Sequence, residues 1–208
     1  MRLFDSSIPS GNAYKVHLLL KQLGHRYETV ELDILATPSE TRRPEFLAKN
    51  PNGRIPVLEL DDGSYLAESN AILFYLAEGT GYLPDDRRAR AQVLSWMFFE
   101  QYSHEPFVAT LKFWTYWGGL SKQPESQITR WKQGGQAALA VMGQHLESRD
   151  FFVGERYSIA DIALFAYTQS AAQVGFDVPS AVERWLDRVR DQPGWVKMKA
   201  DPTGKAPG

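Results

Sequence analysis

Apolar and polar positions in the first 80 residues predict short strands that alternate with helices. Between Gly11 and Gly24, apolar side chains recur every three or four positions, which is the spacing of one helical face, and Gly24 ends that helix. Residues 27–32 alternate and include β-branched side chains, as a half-buried strand does. The other predicted elements are a strand at 2–5, a helix from Glu45 to Lys49, strands around Pro56 and Tyr65, and a helix from Ser69 to Glu78. The order β-α-β-α-β-β-α joins a parallel βαβ unit to a β-hairpin.

From Asp85 onward the pattern indicates helices only, after a linker at 80–84 that contains glycine and proline. We therefore predict two domains, an α/β domain at 1–79 and an all-α domain at 85–208. The predicted helices run from Asp86 past Trp96 to a kink or break at Pro106, and then cover about Glu125 to Ser148, a segment from Ser158, Ser180 to Asp191, and Pro193 to Lys199.

Ser158 and Asp161 have the spacing of a capping box, with aspartate in place of the usual glutamate or glutamine. Residues 162–167 are all apolar, so this helix is predicted to be buried on most sides. A charge inside such a helix is unfavourable unless it is hydrogen-bonded, and the Ser158 backbone N–H is the nearest donor. We therefore assign both residues to folding rather than to catalysis.

The composition limits the possible functions. The chain has 208 residues, 43% of them hydrophobic, with a net charge of −2, so it has enough apolar material for a packed core. It contains no basic run typical of nucleic-acid binding, no apolar run near the roughly 18 residues of a membrane helix, and no histidines at metal-ligand spacing. An acid at position 5 comes too early for a signal peptide, so we expect a cytoplasmic protein without nucleic-acid or membrane partners. Cysteine is absent, so any reacting thiol must come from a ligand.

The segment from Asn50 to Ile72 carries the most specific motif. Pro56 is predicted at the first position of a strand, where a missing N–H is tolerated, and it is a candidate for a cis peptide bond. Glu68 and Ser69 open the next helix. A hydroxyl and free backbone N–H groups at a helix start can bind a carboxylate, helped by the helix dipole.

These residues resemble the glutathione-binding half of the cytosolic glutathione S-transferases, in a bacterial, serine/asparagine-type, nu/theta-like form. The matching positions are Ile55-Pro56-Val57 and Glu68-Ser69, preceded by Asn50-Pro51-Asn52-Gly53 and followed by Asn70-Ala71-Ile72. The resemblance covers nearly the whole chain. It implies a thioredoxin-like domain followed by an all-helical domain, a homodimer, a role in detoxification, and glutathione as co-substrate with no other cofactor.

A glutathione transferase must hold the glutathione thiol as a thiolate. Lowering a thiol pKa from about 8.5 by about two units requires roughly 2.7 kcal/mol. One hydrogen bond to a charged acceptor contributes about 1.5–3 kcal/mol, so one hydroxyl donor near a helix start is about enough. Ser10 matches the position at which the serine- and cysteine-type classes carry this donor. Asn12 is the second candidate because its amide can also donate, and Ser6 and Ser7 remain possible.

The remaining glutathione contacts follow from the resemblance. Ile55, beside Pro56, is expected to offer its backbone to the cysteinyl part of glutathione. Glu68 and Ser69 are expected to hold the γ-glutamyl amine and carboxylate. The glycyl carboxylate is expected to meet Lys49, Asn52 and Arg54, although Arg54 has the alternative of pairing with an acid of the fold.

Aromatic residues concentrate between Trp96 and Trp117, and a pocket for an apolar electrophile needs such a lining. Tyr102, His104 and Phe107, near Pro106, are the candidate lining residues. The expected reaction is attack of glutathione thiolate on an electrophilic carbon. One alternative is reduction of a disulfide or peroxide by two glutathione molecules, and a second is a glutathione-binding module without turnover.

Overall fold

The N-terminal part of the protein is a four-stranded sheet with three helices. The computed structural model describes residues 1–200 and Gly204. The strands are β1 (Arg2–Ser6), β2 (Glu28–Leu32), β3 (Val57–Glu59) and β4 (Tyr65–Ala67), and the helices are α1 (Gly11–Gln22), α2 (Pro44–Leu47) and α3 (Ser69–Ala77). The sheet order is β2-β1-β3-β4, with β1 parallel to β2 and both other pairs antiparallel. The predicted β-α-β-α-β-β-α thioredoxin-like arrangement is confirmed.

In the rest of the described chain, all regular secondary structure is helical, as predicted. It contains α4 (Arg87–Phe99), α5 (Glu105–Phe113), α6 (Glu125–Leu146), α7 (Ile159–Thr168) and α8 (Ser180–Arg190). Helix α1 packs against both α3 and α7, so the start of α1 lies where the sheet-containing part meets the helical part. Over residues 1–200 and Gly204, no helix has the length and apolar character needed to cross a membrane.

The predicted break near Pro106 lies just before the proline. Pro106 occupies the first turn of α5, where its missing N–H needs no helical partner. Residues 100–104 form a π-helical turn that joins α4 to α5. This turn directs Glu100 and His104 into the interior, where both are fully buried. Such π-helical turns often mark functional sites.

The predicted helix from Pro193 to Lys199 is wrong. After a turn at 191–194, residues 195–199 run without helical structure over the start of the chain, and we call them the C-terminal strap. The Tyr14 hydroxyl donates to the Val196 carbonyl over 2.7 Å, and the Lys199 ammonium lies 2.8 Å from Glu31 Oε1. Contacts with β2 and α1 therefore hold this segment in an irregular conformation. These tertiary contacts override the helix that its local sequence predicts.

The capping box at the start of α7 is confirmed. The Asp161 carboxylate accepts hydrogen bonds from the backbone N–H of Ser158 at 3.0 Å and of Phe152 at 3.1 Å. It also accepts one from the Trp185 indole at 2.9 Å, which the sequence did not predict. All ten residues of α7 are buried, so this bonded carboxylate lies at the centre of the helical core.

Candidate functional site

Ser10 lies at the junction between the sheet and the helical part, as the N-cap of α1. Its side chain accepts a hydrogen bond from the Ala13 N–H over 3.3 Å, which leaves the hydroxyl proton free to donate. The helix start is crowded, because a Cβ at Gly11 would lie 2.5 Å from a ring carbon of Tyr167. The absence of a side chain at Gly11 therefore lets Tyr167 approach Ser10.

Of the two other serines considered, Ser6 is buried and donates to the carbonyl of Ile8. Ser7 is partly buried, and it is not one of the residues that line the cleft beside Ser10. Among the hydroxyl candidates, the geometry therefore places Ser10 at the cleft.

The Asn12 amide is held in one orientation. Its Oδ1 accepts hydrogen bonds from the Lys15 ammonium at 2.8 Å and from the Ser69 hydroxyl at 3.2 Å. Its Nδ2 lies 3.4 Å from Glu105 Oε1, and its backbone N–H donates to the Tyr167 hydroxyl over 3.2 Å. Because two donors fix the oxygen, the amide nitrogen must face the Glu105 side, where it can donate to a ligand.

A buried ion pair supports this arrangement. The Lys15 and Glu100 side chains have no solvent exposure, and their charged atoms are 2.8 Å apart. Glu100 also accepts a hydrogen bond from Asn70 Nδ2 at 3.1 Å. One ammonium group therefore connects the π-helical turn, the start of α3 and the start of α1.

Glu105 and Tyr167 complete the inner wall. Burial raises the pKa of the Glu105 carboxyl, although the nearby Lys15 charge partly opposes that shift. Burial also raises the pKa of the Tyr167 phenol, so its hydroxyl keeps its proton beside Ser10. Tyr167 can therefore donate to a ligand but cannot act as a base.

These groups open onto a cleft of about 520 Å³. Four predicted site residues line it together, namely Ser10, Asn12, Arg54 and Ile55. The other lining residues come from the loop after β2, from Gly53, from α5 and from α7, and they are Ile34, Ser39, Thr41, Arg42, Gly53, Glu105, Ala109, Thr110, Phe113 and Tyr167. Polar side chains predominate in this lining.

The predicted motif around Pro56 adjoins the cleft. The Ile55–Pro56 peptide bond is cis, as the sequence led us to expect, and Ile55 is the residue exposed to the cleft. Ser69 begins α3 and bonds Asn12. Glu68 before it has φ of 68° and ψ of 114°, a conformation that is unfavourable for a residue with a side chain. Its exposed side chain lines a neighbouring groove rather than this cleft.

Lys49, Asn52 and Arg54 separate in the structure. The Lys49 ammonium lies over the Tyr65 ring, 4.7 Å from its centroid, and donates to the Tyr65 hydroxyl over 3.2 Å. The Asn52 carbonyl accepts a hydrogen bond from Arg42. Only Arg54 of the three lines the cleft, and within the described part of the chain it makes no ion pair with an acid.

The prediction that His104 lines an electrophile pocket is wrong, and Tyr102 and Phe107 do not line the cleft beside Ser10. Tyr102 and Phe107 line a separate groove between α5 and α6. His104 is fully buried, and its Nε2 pairs with the Thr168 hydroxyl at 3.0 Å. Burial, together with the Lys15 charge, lowers the pKa of His104 to about 3, so the imidazole is neutral. The π-helical turn explains the error, because it rotates this segment relative to a regular helix.

Sequence reasoning missed Glu105 and Tyr167 as site residues. Tyr167 lies in an apolar run that is typical of a core helix, and only Gly11 opposite its ring indicates a close approach. Glu105 stands beside Pro106, and its neighbour Asn12 is 93 positions away in the chain. Neither the contact between Tyr167 and Gly11 nor that between Glu105 and Asn12 can be recognised from a short stretch of sequence.

Comparisons with known protein families cover both halves of the chain. A model of the glutathione S-transferase N-terminal domain matches residues 2–78, and a model of the C-terminal domain matches residues 125–188. The disulfide-bond oxidoreductase YfcG of Escherichia coli strain K12 is 31% identical over 203 residues, which cover 92% of this chain and 93% of that protein.

Two solved structures that are similar to this chain are glutathione transferases. A glutathione S-transferase from Pseudomonas fluorescens Pf-5 has a TM-score of 0.90 and 46% identity, covering 95% of this chain and 98% of that one. A glutathione transferase from Pseudomonas putida, solved with one glutathione disulfide bound per subunit, has a TM-score of 0.78 and 30% identity. That match covers 93% of this chain and 87% of the other.

Proposed function

Because this chain belongs to the glutathione S-transferase family, we propose that it binds glutathione in the cleft beside Ser10 and uses the thiolate to reduce small disulfides. The observation that carries this proposal is the pair of oriented donors, the Ser10 hydroxyl and the Asn12 amide, at one end of a cleft lined by both polar and apolar side chains.

The donors account for thiol activation. Each hydrogen bond to a thiolate is worth about 1.5–3 kcal/mol, and the start of α1 adds roughly 0.3–1 kcal/mol. The two side chains together can therefore supply the roughly 2.7 kcal/mol that lowers a thiol pKa by about two units. Asn12 needs no reorganisation to donate, because Lys15 and Ser69 already hold its oxygen.

The rest of glutathione would extend along the cleft from this point. Ile55 would offer its backbone to the cysteinyl part. The start of α3 at Ser69, which bonds Asn12, would take the γ-glutamyl end, whereas the Glu68 side chain would have to turn from the neighbouring groove to take part. Arg54, which is exposed in the cleft and makes no close ion pair among the described residues, suits the glycyl carboxylate. Lys49 and Asn52 would have to leave their present contacts to take part.

A disulfide is the substrate that fits the lining best. Beyond the donors, the cleft presents hydroxyl, guanidinium and carboxyl groups, which suit a peptide-like second molecule better than an apolar one. The names of YfcG and of the Pseudomonas putida complex support the same substrate class.

The reaction balances with two glutathione molecules. The bound thiolate attacks one sulfur of the substrate, the sulfur–sulfur bond breaks, and the departing thiolate takes up a proton. A second glutathione thiolate attacks the resulting mixed disulfide, giving glutathione disulfide and the second thiol. The protein contributes no cysteine, so both electrons come from glutathione.

Transfer of glutathione to an electrophilic carbon is the second candidate. Phe113, Ala109 and Ile34 form an apolar part of the cleft wall that could hold such a substrate. The same thiolate would serve as nucleophile, so the two activities share Ser10 and Asn12 and differ only in the outer cleft.

The decisive experiment measures the ultraviolet thiolate absorbance of bound glutathione against pH in wild type, Ser10→Ala, Asn12→Ala and the control Ser7→Ala. We expect the thiol pKa to rise by about 1–2 units in one or both cleft variants, since each removes one charged hydrogen bond, and to stay unchanged in Ser7→Ala. Bound glutathione that forms no thiolate near pH 7 in wild type would overturn the proposal in favour of a binding module.

Substrate assays then separate the two activities. Turnover of a small mixed disulfide with glutathione, well above turnover of an aryl halide, supports the reductase. The reverse ratio would assign the chain to the transferase reaction.

We also propose that the protein is a homodimer. An apolar groove between α3 and α4, with a volume of about 640 Å³, includes Phe74, Tyr75, Leu94 and Phe98. Phe98 is 68% exposed and Tyr75 is 54% exposed, which is unusual for large aromatic side chains on one face. A second copy of the chain is the occupant that the family resemblance implies.

A further inference from the structure

A second set of cations faces a small cavity that the proposed reaction does not use. Lys112 lies on α5, on the side away from the glutathione cleft, and is only 3% exposed. The nearest polar partner of its ammonium is the Met198 sulfur at 3.9 Å. A thioether is a weak acceptor, and a buried ammonium is strongly unfavourable without a good one. Among residues 1–200 and Gly204, this buried cation therefore has no adequate counter-charge.

The cavity around Lys112 is positively charged. It has a volume of about 180 Å³, which is space for a few water molecules or one small oxyanion. Arg190 of α8 and Lys197 of the C-terminal strap also line it, together with Gln169, Ser170 and Gln173. None of the described lining residues is acidic. Asp187, in the preceding turn of α8, offsets part of this positive charge, because its carboxylate pairs with Arg190 over 2.7 Å.

We propose that this cavity binds a small oxyanion, either a phosphate or a carboxylate group, with Lys112 as its buried ligand. Arg190 and Lys197 would contact the anion from the more exposed side, and the Gln173 amide could add a neutral donor. Three donors on three separate segments, α5, α8 and the strap, would then share one ligand. Occupancy would hold the strap against the helical part.

The pKa of Lys112 agrees with an anion-binding role. Burial lowers the pKa of Lys112 to about 8, so the side chain is still mostly charged near pH 7. A bound anion favours the charged form and would raise that pKa again. Affinity should therefore decline as pH rises above about 8, where the free lysine loses its proton.

The test measures the melting temperature of the full chain in rising phosphate, with chloride keeping the ionic strength constant and saturating glutathione filling the other cleft. At a tenfold excess of phosphate over Kd we expect wild type to gain about 3–6 °C. Lys112→Met removes the charge and should lose this gain. Lys132→Met, an exposed lysine on α6, is the matched control and should keep it.

Each result of this titration either supports or overturns the anion site. An equal gain in wild type, Lys112→Met and Lys132→Met would reflect general exclusion of phosphate from the surface and would overturn the site. If Lys112→Met does not fold, Lys197→Gln at the exposed rim should still weaken phosphate binding several-fold. A larger gain in acetate than in phosphate would identify the ligand as a carboxylate.

A chain that ends at Ala200 tests whether residues 201–208 compete for the cavity with Asp201 or the terminal carboxylate. A gain in the shortened chain but not in the full one would confirm the anion site and name its occupant. The absence of a gain in both chains would refute it.

Discussion

Lys15 is fully buried beside the candidate site, and its ammonium bonds both Asn12 and Glu100 at 2.8 Å. We predict that Lys15→Met has two effects. The free energy of unfolding should fall by about 3–5 kcal/mol, because Glu100 becomes a buried charge without its partner. The thiol pKa of bound glutathione should rise, because the Asn12 oxygen loses the shorter of the two hydrogen bonds that orient the amide. Denaturant unfolding and thiolate absorbance measure these effects separately.

The double variant Lys15→Met, Glu100→Gln separates positioning from stability. Removing both charges of a buried pair is often nearly neutral, so most of the lost stability should return. The thiol pKa should stay raised, because Asn12 remains unanchored. Recovery of both quantities in the double variant would mean that Lys15 acts on the thiol only through the stability of the fold.

For individual residues, the sequence predicted a place in the candidate site only where the residue belongs to a short sequence motif. Ser10 and Asn12 follow a strand and open a helix, and Pro56 and Ser69 belong to an ordered motif, so their neighbourhood could be inferred. Lys15 and Glu100 are 85 positions apart, and only the packing of α1 against the π-helical turn brings them together. A partner at that separation leaves no periodic signal.

Among the helices, α7 depends most on a single side chain. Asp161→Ala would leave the N–H groups of Ser158, Phe152 and Trp185 buried without an acceptor. We predict a loss of about 3–5 kcal/mol, which corresponds to roughly 6–20 °C in the melting temperature. Ser158→Ala removes only the cap and should lose about 1 kcal/mol. Equal losses in the two variants would show that Asp161 acts as a cap alone.

Helices were predictable where a cap or an amphipathic pattern marks them. Helix α7 has a capping box, α8 has an amphipathic pattern, and α1 has both an apolar face and the Ser10 cap. The segment from Pro193 to Lys199 was predicted as a helix and is instead an irregular strap, because the Tyr14 hydroxyl and the acids Glu31 and Asp5 hold it. Local propensity is a weak preference that such tertiary contacts override.

On the scale of the whole molecule, the order of elements gave the sheet-containing part and the helical part, but not the cleft between them. Residues of α5 face three directions, since Ala109 and Phe113 line the cleft beside Ser10, Phe107 lines the groove against α6, and Lys112 faces the cation-lined cavity. The rotation of α5 decides these directions, and the π-helical turn before it sets that rotation. The misplacement of Tyr102 and His104 has this cause.

The proposed dimer is testable through Phe98, which at 68% is the most exposed large hydrophobic side chain of the α3–α4 groove. A stable interface usually contains such a large aromatic residue at its centre, and a buried charge there without a partner is strongly unfavourable. We predict that wild type sediments at twice the monomer mass and that Phe98→Asp sediments as a monomer. Leu35→Asp is the control, because Leu35 is 43% exposed but follows β2, at the edge of the sheet opposite β4.

Glutathione binding by the two variants gives the second measurement. The candidate site is built from residues of one chain, so monomeric Phe98→Asp should still bind glutathione and form its thiolate. A wild type that sediments as a monomer at micromolar concentration would refute the dimer while leaving the thiol site intact. Loss of the dimer in Leu35→Asp as well would place the interface outside the groove between α3 and α4.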